Sequence, residues 1–266
     1  MAGLISCKQI IVLMAAGLLP LQARAETLVD VELVIAADVS ISMDREEKRL
    51  QQEGFARALR DPEIVRAIQG GSLGRIAVVY FEWGGEKQQR VVVPWTLIDG
   101  AASAHRFAER LERRSPAKFL RGTSLSSALE KAEELLRQSG FSGARRVVNI
   151  SGDGMNNKGP EIEPIRRALI GSGVTINGLP IVYKGLLEGV IEGPDTNADP
   201  KSLIGYFEDH VIGGPYAFVE PVVAMQNYAE AIHRKLLREI GLPIYSDLKA
   251  NGQTAAIEAE PPAPKP

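Results

Sequence analysis

Val31-Glu32-Leu33-Val34-Ile35-Ala36-Ala37-Asp38-Val39-Ser40-Ile41-Ser42 decides the fold. An apolar run long enough for a buried strand ends in one carboxylate and two hydroxyls at alternate positions. Asp44-Arg45-Glu46-Glu47 follows Met43, an N-cap with a Glu three residues on, and it opens a helix. A buried strand turning sharply into a helix delivers its last side chains to the carboxyl edge of a parallel sheet. That edge is where open α/β sheets bind ligands.

The pattern around this unit alternates strands and helices. Strand Val31–Ala37 leads to a helix from about Asp44 to Leu59, with Leu50, Gly54, Phe55, Ala58 and Leu59 on one face. Asp61-Pro62 and Gly70-Gly71 punctuate the connection to a second buried strand, Arg75–Trp83. Gly84-Gly85 turns that strand into an antiparallel partner, Gln89–Pro94. A helix over Ala102–Arg113 precedes the loop Phe119–Ser124. The next helix carries Leu125, Ala128, Leu129, Ala132, Leu135 and Leu136 at helical spacing.

Val147–Ile150 reads as the fourth strand, ending in Ser151-Gly152-Asp153-Gly154. Helix Pro160–Ile170, strand Val174–Val182, a surface loop from Gly185 to Pro200 and a short helix over Ser202–Glu208 come next. The turn Gly213-Gly214-Pro215 introduces a sixth strand, Tyr216–Val219, and the last helix spans Val222–Ile240 with Met225, Ala229, Ile232, Leu236 and Ile240 inward. This order predicts an α/β, doubly wound, mostly parallel six-stranded sheet with one antiparallel edge strand and helices on both faces.

The 266 residues are 45% hydrophobic and 24% charged, which suits one α/β domain with short appendages. Lys8, the apolar run Ile10 to Leu19 and Ala23-Arg24-Ala25 form a leader with a signal-peptidase site over residues 1–25. Its removal takes away Lys8 and Arg24 and no acid, so the formal charge goes from −2 to −4. That balance offers no basic surface for nucleic acid. It also removes Cys7, the only cysteine, which leaves neither a disulfide nor a thiolate ligand. A bacterial periplasmic or secreted protein is the expectation, with no integral membrane segment once the leader is cleaved. Residues 26–245 form the domain, and residues 246–266 form a Pro-rich tail too poor in apolar residues to order itself.

Three strand ends or loops carry hydroxyls and carboxylates: Asp38 with Ser40 and Ser42, then Thr123, then Asp153. Tracing strand directions through the alternation brings all of them to the same sheet edge. Two carboxylates and three hydroxyls suit a hard divalent cation, which takes about six oxygens. Neutral hydroxyls leave such an ion short of negative charge and ready to accept an acidic group from elsewhere. The residue pattern also disfavours several enzymes. Ser40 stands where an aspartyl-phosphate phosphatase would need a second carboxylate. No strand is followed by a Gly-x-Ser-x-Gly elbow. Gly70-Gly71-Ser72-Leu73-Gly74 precedes a strand instead of following one, which removes a dinucleotide loop. None of His105, His210 and His233 has the His-x-x-x-His spacing of a zinc site, and His233 reads as solvated.

Asp38-x-Ser40-x-Ser42, Thr123 in Gly-Thr-Ser and Asp153 in Gly-Asp-Gly resemble the metal-ion-dependent adhesion site of von Willebrand factor type A domains. The resemblance covers roughly residues 28 to 242. Val211–Val219 further resembles a subfamily of secreted bacterial proteins of this type whose function is uncharacterised. It implies a Rossmann-like fold holding Mg²⁺ or Mn²⁺, with Ser40, Ser42 and Thr123 as direct ligands and Asp38 and Asp153 acting through water. The function it implies is capture of a protein ligand through an acidic side chain, without catalysis. A metal-assisted hydrolase, or an envelope protein merely stabilised by its metal, are the alternatives. Glu82 and Trp83, with Met155, Asn156, Asn157 and Lys158, are candidates for a rim that selects the partner.

Overall fold

The computed structural model of the chain describes residues 26–119, 122–183 and 200–241. The expected leader, the loop from Gly185 and the Pro-rich tail lie outside these residues. The sheet has five strands in the order β3-β2-β1-β4-β5. The strands are β1 (Thr27–Asp38), β2 (Ile76–Trp83), β3 (Gln89–Ile98), β4 (Phe141–Gly152) and β5 (Val174–Pro180). β1 is central and runs parallel to β2 and β4, β5 runs parallel to β4, and β3 is the antiparallel edge. β1, β3 and β4 all extend beyond their expected bounds.

The helices are α1 (Arg45–Arg60), α2 (Pro62–Gln69), α3 (Ala101–Glu112), α4 (Leu125–Arg137), α5 (Ile162–Gly171), α6 (Pro200–Tyr206) and α7 (Tyr228–Ile240). Asp44 caps α1 with the expected reciprocal bonds: Glu47 N–H donates to Asp44 Oδ1 at 2.8 Å and Asp44 N–H to Glu47 Oε2 at 2.6 Å. The stretch read as a punctuated connection holds α2, whose N-cap is Asp61, with Pro62 in the first turn.

Alternation along β1 sorts its side chains between two cores. Val31, Leu33, Ile35 and Ala37 face the layer of α1, α2, α3 and α7, while Val34 and Ala36 face the layer of α4, α5 and α6. All six are essentially removed from solvent. Burial of the Val, Leu and Ile side chains among them contributes roughly 1.5–3 kcal/mol each, which holds both helix layers to the central strand. Gly54 lets α1 approach α7 closely, since a Cβ there would lie 2.7 Å from Ile232 Cδ1.

The expected six-stranded sheet is corrected to five. Tyr216 sits at φ 59°, outside extended geometry, and the segment from Gly213 to Val222 makes only isolated bridges from Ile176, Gly178 and Ile181. The last helix likewise begins at Tyr228 rather than Val222, after a 3₁₀ turn at Met225–Asn227. α6 continues into a π-helical turn, Phe207–Val211.

The strand order places the site. From β1 the chain crosses to β2 on one side and later returns to β4 on the other, so the carboxyl ends of β1 and β4 border the topological switch point. Asp38 ends β1, and Asp153 follows the last residue of β4.

Candidate metal centre

Asp38 is fixed before any ligand arrives. Its N–H donates to Ser151 Oγ at 3.0 Å, Ser151 Oγ donates to Gln51 Oε1 at 2.6 Å, and Gln51 Nε2 donates to the Asp38 carbonyl at 2.9 Å. Asp38, Gln51 and Ser151 are all fully buried, so this closed ring ties β1, β4 and α1 together. Sequence reading missed Gln51 and Ser151. The signal was a polar residue on the inward face of α1 and another at the end of an apolar strand.

The Asp38 carboxylate accepts the Ser40 N–H at 2.7 Å on Oδ1 and the Asp153 N–H at 3.4 Å on Oδ2. The Ser40 and Ser42 hydroxyl oxygens lie 3.0 Å apart, and Ser42 Oγ donates to Asp153 Oδ1 at 2.6 Å. Thr123 arrives from the loop before α4. Asn157 Oδ1 accepts its N–H at 2.9 Å, and its carbonyl accepts the N–H groups of Asn157 and Lys158 at 2.9 and 3.2 Å. A Cβ on Gly154 would sit 3.9 Å from Thr123 Oγ1, so the Thr123 hydroxyl borders the Asp153 loop. Gly122 makes this turn at φ 123°, where a Cβ would lie 2.8 Å from Lys158 Cγ. The structure thus brings together Asp38, Ser40, Ser42 and Asp153 by hydrogen bonds and Thr123 by its neighbour.

Burial, and then the negative charge of Asp153, push the Asp38 carboxyl up to about 7. Among the described residues no cationic side chain forms an ion pair with Asp38. The donor set fits a hard divalent cation. Two ligands at right angles around an ion with ~2.1 Å bonds stand ~3.0 Å apart, the spacing of the two serine oxygens. A bound cation would also relieve the repulsion that burial imposes on the carboxylates.

The expected rim is only partly a rim. Glu82 and Trp83 are fully buried, which corrects their assignment. Glu82 Oε2 accepts from Arg90 and from the Ala117 N–H, at 2.6 and 2.9 Å, and the Trp83 indole donates to the Ala36 carbonyl at 3.3 Å. Both are cross-strand and loop fasteners, because β2 lies between β1 and β3 with helices over both faces. Met155 and Asn156 are half-buried, while Asn157 and Lys158 are exposed beside the Thr123 turn. Asn156 Oδ1 accepts the Ser126 N–H at 3.1 Å, so the two asparagines hold the α4 entry to the Asp153 loop.

A second group of ligand-bearing atoms lies where α2 meets α7: Asp61, Glu63 and His233 bring one atom each within 4.8 Å of one another and could hold a metal ion. His233 is therefore not simply solvated, since its Nε2 stands 3.6 Å from each carboxylate.

Solved structures with this fold include the von Willebrand factor type A protein from Catenulispora acidiphila. The two share 20% identity at a TM-score of 0.53, over 80% of this chain and 43% of that one. The pilus adhesin SpaC from Lactobacillus rhamnosus GG aligns at a TM-score of 0.58 and 13% identity, over 81% and 31%. The proximal thread matrix protein 1 from the mussel byssus, solved with a zinc-occupied metal-ion-dependent adhesion site, aligns at 0.53 and 14%, over 80% and 48%. The chain spans less than half the length of each, and the likeness establishes the fold. No curated protein matches the chain. The profile of DUF1194, described as a protein of unknown function, matches residues 28–243, and the chain belongs to that family.

Proposed function

We propose that this protein is an exported bacterial binding module, periplasmic or secreted. It holds Mg²⁺ or Mn²⁺ at Asp38, Ser40, Ser42, Thr123 and Asp153 and uses the ion to take an acidic side chain of a protein partner. The observation that carries this reading is the hydrogen-bonded cluster of Asp38, Ser40, Ser42 and Asp153 at the switch point, with Thr123 beside the Asp153 loop and two serine hydroxyls at the spacing of adjacent ligands. Ser40, Ser42 and Thr123 would supply neutral oxygens, and the two carboxylates would hold coordinated water. The ion then keeps enough positive charge to attract a partner's carboxylate. The leader pattern of residues 1–25 supports export, as does likeness to a pilus adhesin and a byssal thread matrix protein.

The test is water-proton relaxation with Mn²⁺ bound to the protein. A peptide of Gly and Ser bearing one Asp should lower the relaxation enhancement by displacing metal-bound water, and the same peptide with Asn should leave it unchanged. Equal responses to the two peptides, or no enhancement from Mn²⁺ at all, would refute the reading.

A further inference from the structure

Beside the metal centre, a groove of about 710 Å³ runs between α1 and the segment from Arg114 to Lys118. Five cationic side chains and two anionic ones line it. Both anions are already engaged: Glu53 accepts from Arg49 at 2.6 Å, and Glu112 accepts from Arg60 at 2.7 Å. Arg45, Lys48, Arg114 and Lys118 form no ion pair among the described residues. A chain with a formal charge of −2 therefore concentrates unpaired positive charge in one concave place.

Lys48 connects that charge to the metal centre. Lys48 lies one turn beyond the Asp44 cap; partial burial holds its ammonium below the usual lysine range, against the opposing pull of the Asp38, Asp153, Glu82 and Glu47 carboxylates. The far wall is held in place rather than left to drift. Gln52 Nε2 of α1 donates to the carbonyls of Leu111 and Arg114, both at 2.6 Å. Arg90 donates to the Ser115 carbonyl at 2.7 Å, and the Ala117 N–H donates to buried Glu82. Glu82 thus serves the rim from beneath it.

Cations gathered on a fixed concave wall repel one another until an anion arrives, and a wall already ordered loses little entropy on binding. We propose that the partner presents a segment with several carboxylates: one occupies the metal centre and the others lie along this groove against Lys48, Arg45, Arg114 and Lys118. The inference rests on the proposed function and narrows it, from one acidic side chain to an acidic stretch of polypeptide.

The experiment measures fluorescence anisotropy of two labelled Gly-Ser peptides, one bearing a single Asp and the other four. Each is titrated with the protein in Mg²⁺ and in EDTA, and Mn²⁺ binding is measured on the same preparations. In Mg²⁺ the four-Asp peptide should bind at least tenfold more tightly than the single-Asp peptide. In an Arg114→Gln/Lys118→Gln variant that advantage should fall below threefold while Mn²⁺ affinity stays within twofold. Equal affinity for the two peptides in the wild-type protein overturns the groove and leaves the metal reading intact. Four-Asp binding that persists undiminished in EDTA, or displacement by dextran sulfate in preference to an acidic peptide of equal charge, overturns it as well. Absence of Mn²⁺ binding removes the proposed function itself.

Discussion

Two carboxylates are buried equally deeply in this protein and are treated in opposite ways. Glu239, on the inward face of α7, is met from within: Lys235 Nζ pairs with it, and the side-chain amides of Asn149 and Asn177 donate to it at 2.7 and 3.1 Å. Asp38, at the end of the central strand, accepts hydrogen bonds from the backbone N–H groups of Ser40 and Asp153 and from the Ser40 side chain, and faces a second carboxylate. Its charge is left uncompensated by any ion pair among the described residues. Burying a charge costs several kcal/mol unless it is paired. The fold meets that cost at Glu239 with a cation and two amides, and at Asp38 without an ion pair among the described residues, which accords with the proposed cation site.

The largest effect expected from breaking the comparison is at the satisfied end. Lys235→Met leaves Glu239 buried without its cation and should lower stability by about 3–5 kcal/mol in urea denaturation. It should do so equally in Mg²⁺ and in EDTA, because the pair lies away from the metal centre. A loss below 1 kcal/mol would mean that the amides of Asn149 and Asn177 suffice alone.

A smaller effect is expected at the open end, and its sign depends on pH. The carboxyl of Asp38 is raised in the folded state, so its protonated form stabilises the metal-free protein fully below the ordinary value of 3.8. That contribution is lost as pH rises through about 7. Thermal melts in chelator should therefore fall between pH 4 and pH 8 more steeply for the wild-type protein than for Asp38→Asn. At pH 8 the variant should melt several degrees above the wild-type protein. Saturating Mg²⁺ should abolish the difference in slope by favouring the ionised carboxylate through its coordinated water. Parallel melts in chelator would show that Asp38 is not held out of its ordinary range.

The smallest effect is expected at Glu82, a buried carboxylate of intermediate character. Burial pushes it upward, and Arg90 and the Ala117 N–H compensate. Glu82→Gln should cost about 1 kcal/mol by thermal denaturation and should not change Mn²⁺ affinity. A lost metal site in that variant would tie Glu82 directly to the ion.

Much of this was legible in the chain. The apolar run of β1, the alternate Asp38, Ser40 and Ser42, and the Asp44–Glu47 capping box are local patterns, and local physics fixes them. Strand directions then brought Thr123 and Asp153 to the same edge. The pairing of buried polar groups was not legible. Lys235 and Glu239 stand four apart in α7 and look like a surface ion pair until Asn149 and Asn177 on neighbouring strands are seen to meet them. Gln51 and Ser151 lie 100 residues apart and signal nothing until the fold closes their ring. Glu82 and Trp83 end a strand at the right edge, yet β3 and the helix layers cover them. The cationic groove was hidden by a net negative charge, since composition averages over surfaces that folding separates. Tyr216–Val219 has strand-forming residues, but the turn at Gly213-Gly214 and the φ of Tyr216 keep it from joining the ladder.

The central claim is that Asp38 and its hydroxyl neighbours form a site for a divalent cation. Calorimetric titration of Mg²⁺, and then Mn²⁺, into chelator-stripped protein beside Ser40→Ala tests it most directly. The wild-type protein should bind one ion per chain more than the variant does at the same concentrations. A wild-type protein that binds neither ion, or a Ser40→Ala variant that binds as the wild type does, would contradict it.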